Sequence, residues 1–413
     1  MAPMDTSPEL ADRLVETLHS VHGRHEGHRA AHAKGTCCTA TFTASAVAPS
    51  LTRALHFQGQ PIPATVRFSN GSGIPAYPDY ARSDGRGIAV KFHLPDGAHS
   101  DMVGLTLPVF FARDPEAFME FLTVTRPDPQ TRQPDLARVG EFLERHPETQ
   151  AALGAAMSGA LPASYLRVAY NSLHAFGLED AAGRTTWGRY RWEPELGEAT
   201  VSSEEARAAG REYLQDELRA RLSQGSAALR LVFILAGEGD SLTDPTSAWP
   251  AGRSGVEVGR LEITAVNPPE GCEPLIFDPT NVVDGIVCSD DPILHARSAA
   301  YARSFADRRG IAPPAAGRGD AAVDAGARVR AAIGDLREGE MRAVEVAGIR
   351  FAAARVDGQE HVFEDSCTHR GCSLADGVLA GSTVTCPCHG SQFDVTTGAV
   401  LRGPAREAVK TFP

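Results

Sequence analysis

Lysine is almost missing from this chain of 413 residues: three of its 40 basic side chains are lysines, and arginine supplies the rest. With alanine and glycine abundant, that bias reads as the codon usage of a GC-rich bacterial genome. An excess of positive charge is missing too. The formal net charge is −12 at pH 7 and the pI about 5.6, which argues against nucleic acid or an anionic membrane as the main partner. No apolar run approaches the roughly 20 residues that span a bilayer. The opening MAPMDTSPEL lacks the basic and then apolar character of a signal peptide, so a soluble, cytoplasmic protein is expected. A disulfide framework is absent from most of the chain as well. Of the eight cysteines, Cys37, Cys38, Cys272 and Cys288 show no framework spacing.

The length implies two or three domains, and 42% apolar content is ample for their cores. The densest chemistry lies between Cys367 and Phe393, where CTHRGC is followed after thirteen residues by CPCHGSQF. Cys367-x-His369 and Cys386-x-x-His389 are two ligand pairs, with Cys372 and Cys388 beside them. Paired thiolates and imidazoles at that spacing suit one cluster. Tetrahedral zinc is the rival reading, since Cys and His pairs bind it too, although zinc needs neither the extra cysteines nor the GS pair.

These residues closely resemble the Rieske family. The resemblance implies a 2Fe–2S cluster with Cys367 and Cys386 on the buried iron, His369 and His389 on the outer iron, and a Cys372–Cys388 disulfide tying the loops. Ser391 matches the serine that donates to a cluster sulfide, whereas Phe393 stands where such proteins often carry tyrosine. A middling potential within the family's range of about −150 to +300 mV is therefore expected. Such a domain carries one electron at a time. The chain stops at Thr411-Phe412-Pro413, where the fold usually has another strand, so that edge is expected to be truncated or completed elsewhere.

At the other end, Ser7-Pro8 reads as an N-cap with proline at the first helical position, and Leu10, Leu14 and Leu18 recur on one face. His19, His22, His25, His28 and His32 follow at spacings of three or four; a metal ridge is the sharper reading and a solvated face the plainer one. Ala40–Val47, Thr65–Ser69 and Ile88–Leu94 alternate as strands, as do Ala228–Leu235 and Val256–Val266, with Leu261, Ile263 and Ala265 opposite Glu262 and Thr264. Helical patterning covers Pro115–Val124, Asp135–Met157 and Ser203–Ser223. A last helix begins at Asp290 or Asp291 and sets Arg297 and Tyr301 four apart on one face.

The segments RAAHAKG, VRFSNGSG, GRGIAVKFH and DMVGLTLPVFFARDPEAF resemble those of haem catalases, in order and at matching positions. The stretch PLIFDPTNVVDGIVCSDDPILHARSAAYARSFADRR is similar to the proximal segment of the small, catalase-related peroxidases. What the resemblance implies is an α+β fold, a catalase-like antiparallel barrel with helices, joined to a small all-β Rieske domain. Its cofactor would be haem b, with Tyr301 as the iron ligand and Arg297 favouring the phenolate. His32 would shuttle the peroxide proton, oriented by Ser69; Arg29, Arg67 and Arg308 would clamp the propionates, and Phe118 would stack on the ring.

One position departs from the family pattern. Leu105 in GLTLP stands where catalases supply a distal asparagine, so the second peroxide loses a positioned donor and fast dismutation is expected to be poor. Residues 1–309 are expected to form the haem domain and 310–326 a flexible Ala/Gly/Pro-rich tether. Residues 327–413 are left for the Rieske domain. The reading is a peroxidase for hydrogen peroxide or organic hydroperoxides whose electrons come singly through the cluster. An external donor would supply them: a reductase, a ferredoxin or a small reductant. Homo-oligomers are compatible with it. Its alternatives are transformation of lipid hydroperoxides by the same haem, which an apolar Leu105 suits, and a non-enzymatic redox-sensing module.

Overall fold

Alternating burial along ten strands builds most of the first 290 residues. The computed structural model describes residues 7–81, 84–128, 130–131, 133–158, 160–310, 329, 333, 336–346, 349–369, 371–388 and 390–412. It divides into two units, one of Met1–Glu273 with Phe277–Ser304 and one of Pro274–Ile276 with Phe305–Pro413. Apart from Gly310, the tether expected at 310–326 lies outside the described residues.

In the first unit the strands are β1 (Gly35–Ala44), β2 (Ile62–Asn70), β3 (Arg86–His93), β4 (His99–Leu105) and β5 (Tyr170–Asn171). They continue with β6 (Phe176–Glu179), β7 (Thr185–Pro194), β8 (Ala227–Leu235), β9 (Gly255–Val266) and β10 (Ile286–Cys288). The antiparallel order β8-β9-β1-β2-β3-β4-β5-β7 closes on itself because β7 also pairs with β8, giving an eight-stranded barrel among the described residues. β6 and β10 extend from β7. Closure leaves the barrel strands without open edges. Leu261 and Ile263 point inward as the alternation requires, but Ala265 is exposed, because the pairing with β1 shifts register at Thr39/Ala40.

The barrel interior is aromatic. Phe42 meets Phe57, Phe92 and Trp192 edge-on, with centroids 5.6, 5.1 and 6.3 Å away. His56 lies among them, fully buried and stacked on Phe92 at 4.6 Å, and neither ring nitrogen has a hydrogen-bond partner. Burial lowers its pKa from 6.5 to about 3. The unfolded chain therefore binds one more proton between those values, and this side chain costs stability as pH falls below 6.5. His56→Leu removes two unmet polar atoms and is expected to raise unfolding stability by about 1 kcal/mol, with a larger gain near pH 5 than pH 8. Urea unfolding at both pH values checks this; a lower midpoint at either would contradict it.

The helices are α1 (Pro8–His22), α2 (Pro115–Val124), α3 (Leu136–Arg145), α4 (Thr149–Ser158), α5 (Ser203–Ala209), α6 (Tyr213–Gln224) and α7 (Pro292–Arg308). Ser7 caps α1 by accepting from the Leu10 amide. The single helices expected over 135–157 and 203–223 are each two. Pro147 lacks the N–H that would continue α3, and Gly210, at φ 107°, ends α5. Leu10 and Leu14 of α1, Met119 of α2 and Ala296 of α7 share one apolar cluster, which fixes α7 against the N-terminal helix. No helix among the described residues is long and apolar enough to cross a membrane.

The second unit carries β11 (Met341–Val346), β12 (Ile349–Val356), β13 (Gln359–Glu364), β14 (Val378–Ala380), β15 (Thr383–Thr385), β16 (Gln392–Asp394), β17 (Val400–Arg402) and β18 (Thr411–Phe412). They form two four-stranded sheets, β11-β12-β13-β18 and β14-β15-β16-β17. Thr411 and Phe412 pair with Phe363 and Val362 of β13. Phe412 joins Val329, Ile333, Leu336, Val344, Phe351 and Val362 in this unit's core.

Candidate active site

β2 and the loop after α1 build one side of the first site. His32 adopts φ 54°, a left-handed backbone, held by two clamps: its amide donates to the Gly71 carbonyl at 3.0 Å, and Arg67 Nη2 donates to its carbonyl at 2.9 Å. Its Nδ1 lies 3.0 Å from Ser69 Oγ, so Nε2 is the nitrogen left for a substrate. Gly87 of β3 pairs with Ser69 on one side and Leu105 on the other, so Ser69 and Leu105 share a cross-strand row. A Cβ at Gly87 would sit 2.8 Å from Ser69 Oγ and 3.0 Å from the His32 ring, so only glycine leaves that hydrogen bond room. Burial, then the charges of Arg67, Arg297 and Arg29, lower the His32 pKa to about 3. His32 is a neutral base throughout the ordinary pH range.

α7 builds the other side. Arg297 Nε donates to Tyr301 Oη at 3.0 Å and its Nη2 donates to the same oxygen. Arg297 Nη1 is 3.0 Å from His174 Nε2, and His174 Nδ1 is 2.6 Å from Asp291 Oδ2, both His174 and Asp291 being buried. A guanidinium can only donate, so His174 Nε2 accepts and its proton sits on Nδ1, facing the carboxylate. Burial lowers the His174 pKa despite Asp291, consistent with that neutral tautomer. Asp291 also caps α7 by accepting from the Ile293 amide at 2.9 Å, so one carboxylate orients both the helix and the relay. Sequence pattern gives no sign of His174 and marks Asp291 only as a helix start. His174 lies more than a hundred residues from its partners, and no local pattern marks it.

The remaining expected residues have these surroundings. Arg29 donates from Nη1 to Glu273 at 3.1 Å and from Nη2 to the Cys272 carbonyl at 3.4 Å. Arg308 donates to the Leu275 carbonyl at 3.0 Å and lies over the Phe305 ring. Phe118 and Ala300 pack against the cluster that includes Met119 and Ala296, and Phe118 meets Phe110 at 4.9 Å. Cys37 is not a free barrel thiol: it is disulfide-bonded to Cys272, a pairing across 235 residues that spacing does not reveal. In the first unit Cys38 and Cys288 are free thiols, and burial pushes the pKa of both up to about 12. Among the described residues the histidines of α1 form no metal-ligand group.

A haem fits these residues. The Tyr301 oxygen accepts two N–H donors from one cation, so an oxygen of the kind that can bind iron faces a positive charge. Three guanidiniums act on His32 with no carboxylate among the influences on it, and that net positive surround suits two propionates.

In the second unit the loops after β13 and β15 present the other donor set. Cys367 and Cys386 are buried and outside any disulfide, His369 is half-buried, and Cys372 and Cys388 are disulfide-bonded. His389 lies outside the described residues. Each loop turns on a short bond: the Gly371 amide donates to the Cys367 carbonyl at 2.7 Å, and the Cys386 amide to the Ser391 carbonyl at 2.8 Å. Ser391 Oγ accepts from the Ala405 amide at 3.0 Å, leaving its own hydrogen to donate, and Phe393 is fully buried in β16. Two buried thiols with an imidazole match an iron–sulfur site of mixed ligation.

The Catalase family model matches residues 10–313, and the model of the Rieske 2Fe–2S domain matches residues 328–413. A catalase-related peroxidase of Synechococcus elongatus is 36% identical over 303 residues, 73% of this chain and 89% of its own. One from Mycolicibacterium paratuberculosis is 38% identical over 311 residues, 73% of this chain and 97% of its own. A solved bacterial catalase superposes with a TM-score of 0.62 at 25% identity, over 72% of this chain and 60% of that catalase.

Proposed function

The chain belongs to the catalase family, an oxidoreductase of peroxide chemistry with a C-terminal Rieske domain, and from that premise we propose that it is a peroxidase fed electrons singly through its own cluster. When bound, the haem, of the b type, supplies the iron at which the peroxide O–O bond breaks, and the cluster supplies electrons. The protein's part is positioning and proton movement. His32 Nε2 takes the proton of the bound peroxide and hands it to the departing oxygen, so that water leaves; Ser69 holds the ring for both transfers. Arg297 donates to the Tyr301 oxygen and orients it, and His174 with Asp291 holds Arg297. Arg29, Arg67 and Arg308 are the cations for the haem carboxylates.

The observation that carries the peroxidase reading is Leu105, which shares the cross-strand row of Ser69 and offers a second peroxide no donor. Electrons then come from an outside one-electron donor: a reductase, a ferredoxin or a small reductant. Leu105→Asn is expected to raise dismutation of hydrogen peroxide by about 10–100-fold, part of what one positioned donor is worth in such sites. Oxygen evolution checks it; an unchanged rate would mean that Leu105 does not limit the second step. The same apolar side chain favours organic hydroperoxides as a second substrate class, and product analysis with a fatty-acid hydroperoxide separates reduction from rearrangement. The proposal as a whole is tested by mixing cluster-reduced protein with peroxide anaerobically. Reoxidation of the cluster, which gives up one electron per chain, and the first one-electron step of the haem's return toward its resting Soret band are expected to share one rate, and independent rates would overturn the relay.

A further inference from the structure

We propose that Asp79 is a positioning residue of the peroxide site: its buried carboxylate grips Lys34 and Asn70, and so fixes the chain segments that carry His32 and Ser69 relative to one another. The inference rests on the reading of His32 as the proton shuttle and names what keeps that side chain aimed. His32 lies two residues before Lys34, and Ser69 immediately precedes Asn70. Main-chain bonds lay the two segments together: the His32 and Ala33 amides donate to the Gly71 and Ser72 carbonyls, both at 3.0 Å, and the Asn70 amide donates to the Lys34 carbonyl at 3.1 Å. Side chains then lock the register. Lys34 Nζ donates to Asp79 Oδ1 at 2.6 Å, and Asn70 Nδ2 donates to the same oxygen at 2.8 Å.

Both oxygens of that carboxylate are committed. Oδ2 accepts from the Leu214 amide at 2.9 Å, in the first turn of α6, where a negative charge also meets the helix dipole favourably. Asp79 and Asn70 are wholly buried, and the bonds beyond Asn70 close on themselves. Tyr165 Oη donates to Asn70 Oδ1, Gln215 Nε2 donates to Tyr165 Oη at 2.9 Å, and Thr36 Oγ1 of β1 donates to Gln215 Oε1. Gln215 follows Leu214 and Thr36 lies two residues beyond Lys34, so the ring returns to both of its starting points. A buried network with its partners in place holds one geometry, and the loss of a partner inside it is costly. The basic member is suited by shape. In a chain that uses arginine almost everywhere, Lys34 is one of three lysines, and its ammonium also donates to the Tyr77 and Arg211 carbonyls at 3.1 and 3.2 Å, with the more exposed Glu212 at 2.8 Å. A compact charge serves acceptors gathered round one atom, as a flat guanidinium does not.

Asp79→Asn keeps the shape and removes the charge. An amide has one acceptor oxygen, so its NH₂ faces either the Leu214 amide or the Lys34 and Asn70 donors, and the buried ammonium loses its nearest counter-charge. The surrounding backbone keeps its own ties. The Asp79 amide still donates to the Arg211 carbonyl at 2.9 Å, the Gly71 amide to the Gly85 carbonyl at 2.8 Å, and the Ser72 amide to Asp84 at 2.8 Å. What shifts is Lys34, and with it the segment that ends in His32.

The test is a double-mutant cycle on full-length, haem-loaded protein, with the reaction with hydrogen peroxide followed by stopped flow. Asp79→Asn is expected to slow that step by about 10–100-fold in the wild-type background, the scale of a displacement of about 1 Å at a reacting group, with the Soret band unchanged. In the His32→Ala background the same substitution should change the rate by less than about twofold, because the side chain it positions is gone. A merely structural role would slow both backgrounds alike; that result, or an Asp79→Asn protein as fast as wild type, overturns the proposal. A His32→Ala protein as fast as wild type would instead remove the reading of His32, and the proposal with it. Hydrogen exchange of the same holoproteins gives a readout independent of turnover. Peptides covering His32–Lys34 and Ser69–Ser72 are expected to exchange faster in Asp79→Asn than in wild type, and equal exchange would show that the carboxylate does not tie them. If Asp79→Asn does not fold, Asn70→Ala, which leaves the Lys34–Asp79 pair intact, takes its place in the cycle. A loss of about fivefold is then expected, the worth of one hydrogen bond, and the same two rate patterns overturn the proposal.

Discussion

His32→Ala is expected to slow the reaction with hydrogen peroxide by about 10²- to 10⁴-fold, the range for removing a positioned general acid–base, while the resting haem spectrum stays that of the wild type. The expectation rests on three features of one side chain. Its left-handed backbone is clamped at both amide and carbonyl, its Nδ1 is engaged by Ser69, and its Nε2 is left as the basic atom. The charge state gives a second, sharper signature. With burial and three guanidiniums holding the pKa near 3, the base-competent neutral form is present above that value. The rate should stay flat as pH falls through 6.5 and decline only near 3. Stopped-flow measurement of the peroxide reaction between pH 4 and 8 checks the size of the loss in the variant and the flat wild-type rate through 6.5. A rate in the variant within a factor of a few of wild type, or a wild-type decline centred near 6.5, would remove His32 from the proton-transfer role.

The same side chain shows where local sequence carries the site and where it does not. RAAHAKG and VRFSNGSG mark His32 and Ser69 because each sits in a short segment whose backbone makes the site: the loop at His32–Ala33 and the end of β2. Tyr301 and Arg297 are legible for another reason, since four residues on a helix is one turn. His174 is not legible, because its function comes only from Asp291 and Arg297 reaching it across the fold. Gly87 reads as one strand glycine among many until the His32 ring is seen lying against it. Cys37 and Cys272 are separated by 235 residues, and only closure of the barrel brings β1 beside the turn after β9. The split helices were legible in part: Pro147 and Gly210 stand at the breaks, but the apolar spacing on either side is in phase and hides them.

Cys386→Ser is expected to abolish the iron–sulfur signal and lower donor-dependent peroxide turnover by more than the roughly 10–100-fold that loss of an outer partner costs a metal site. Serine is nearly the size of cysteine, so the buried loop has no reason to refold; what it loses is a soft thiolate, and an alkoxide is a poor replacement for iron in a cluster. The Cys386 amide bond to Ser391 and the neighbouring Cys372–Cys388 disulfide both survive the substitution, so the loop stays in register and the defect is one of ligation. Electron paramagnetic resonance of the reduced protein reads the cluster, and steady-state oxidation of a reduced donor reads the relay. The two must fall together, whereas the acid limb of the peroxide step, set by His32 in the other unit, should stay near 3. Donor-dependent turnover that persists once the cluster signal is gone would mean that electrons enter the barrel directly, and that the second unit serves something other than the haem.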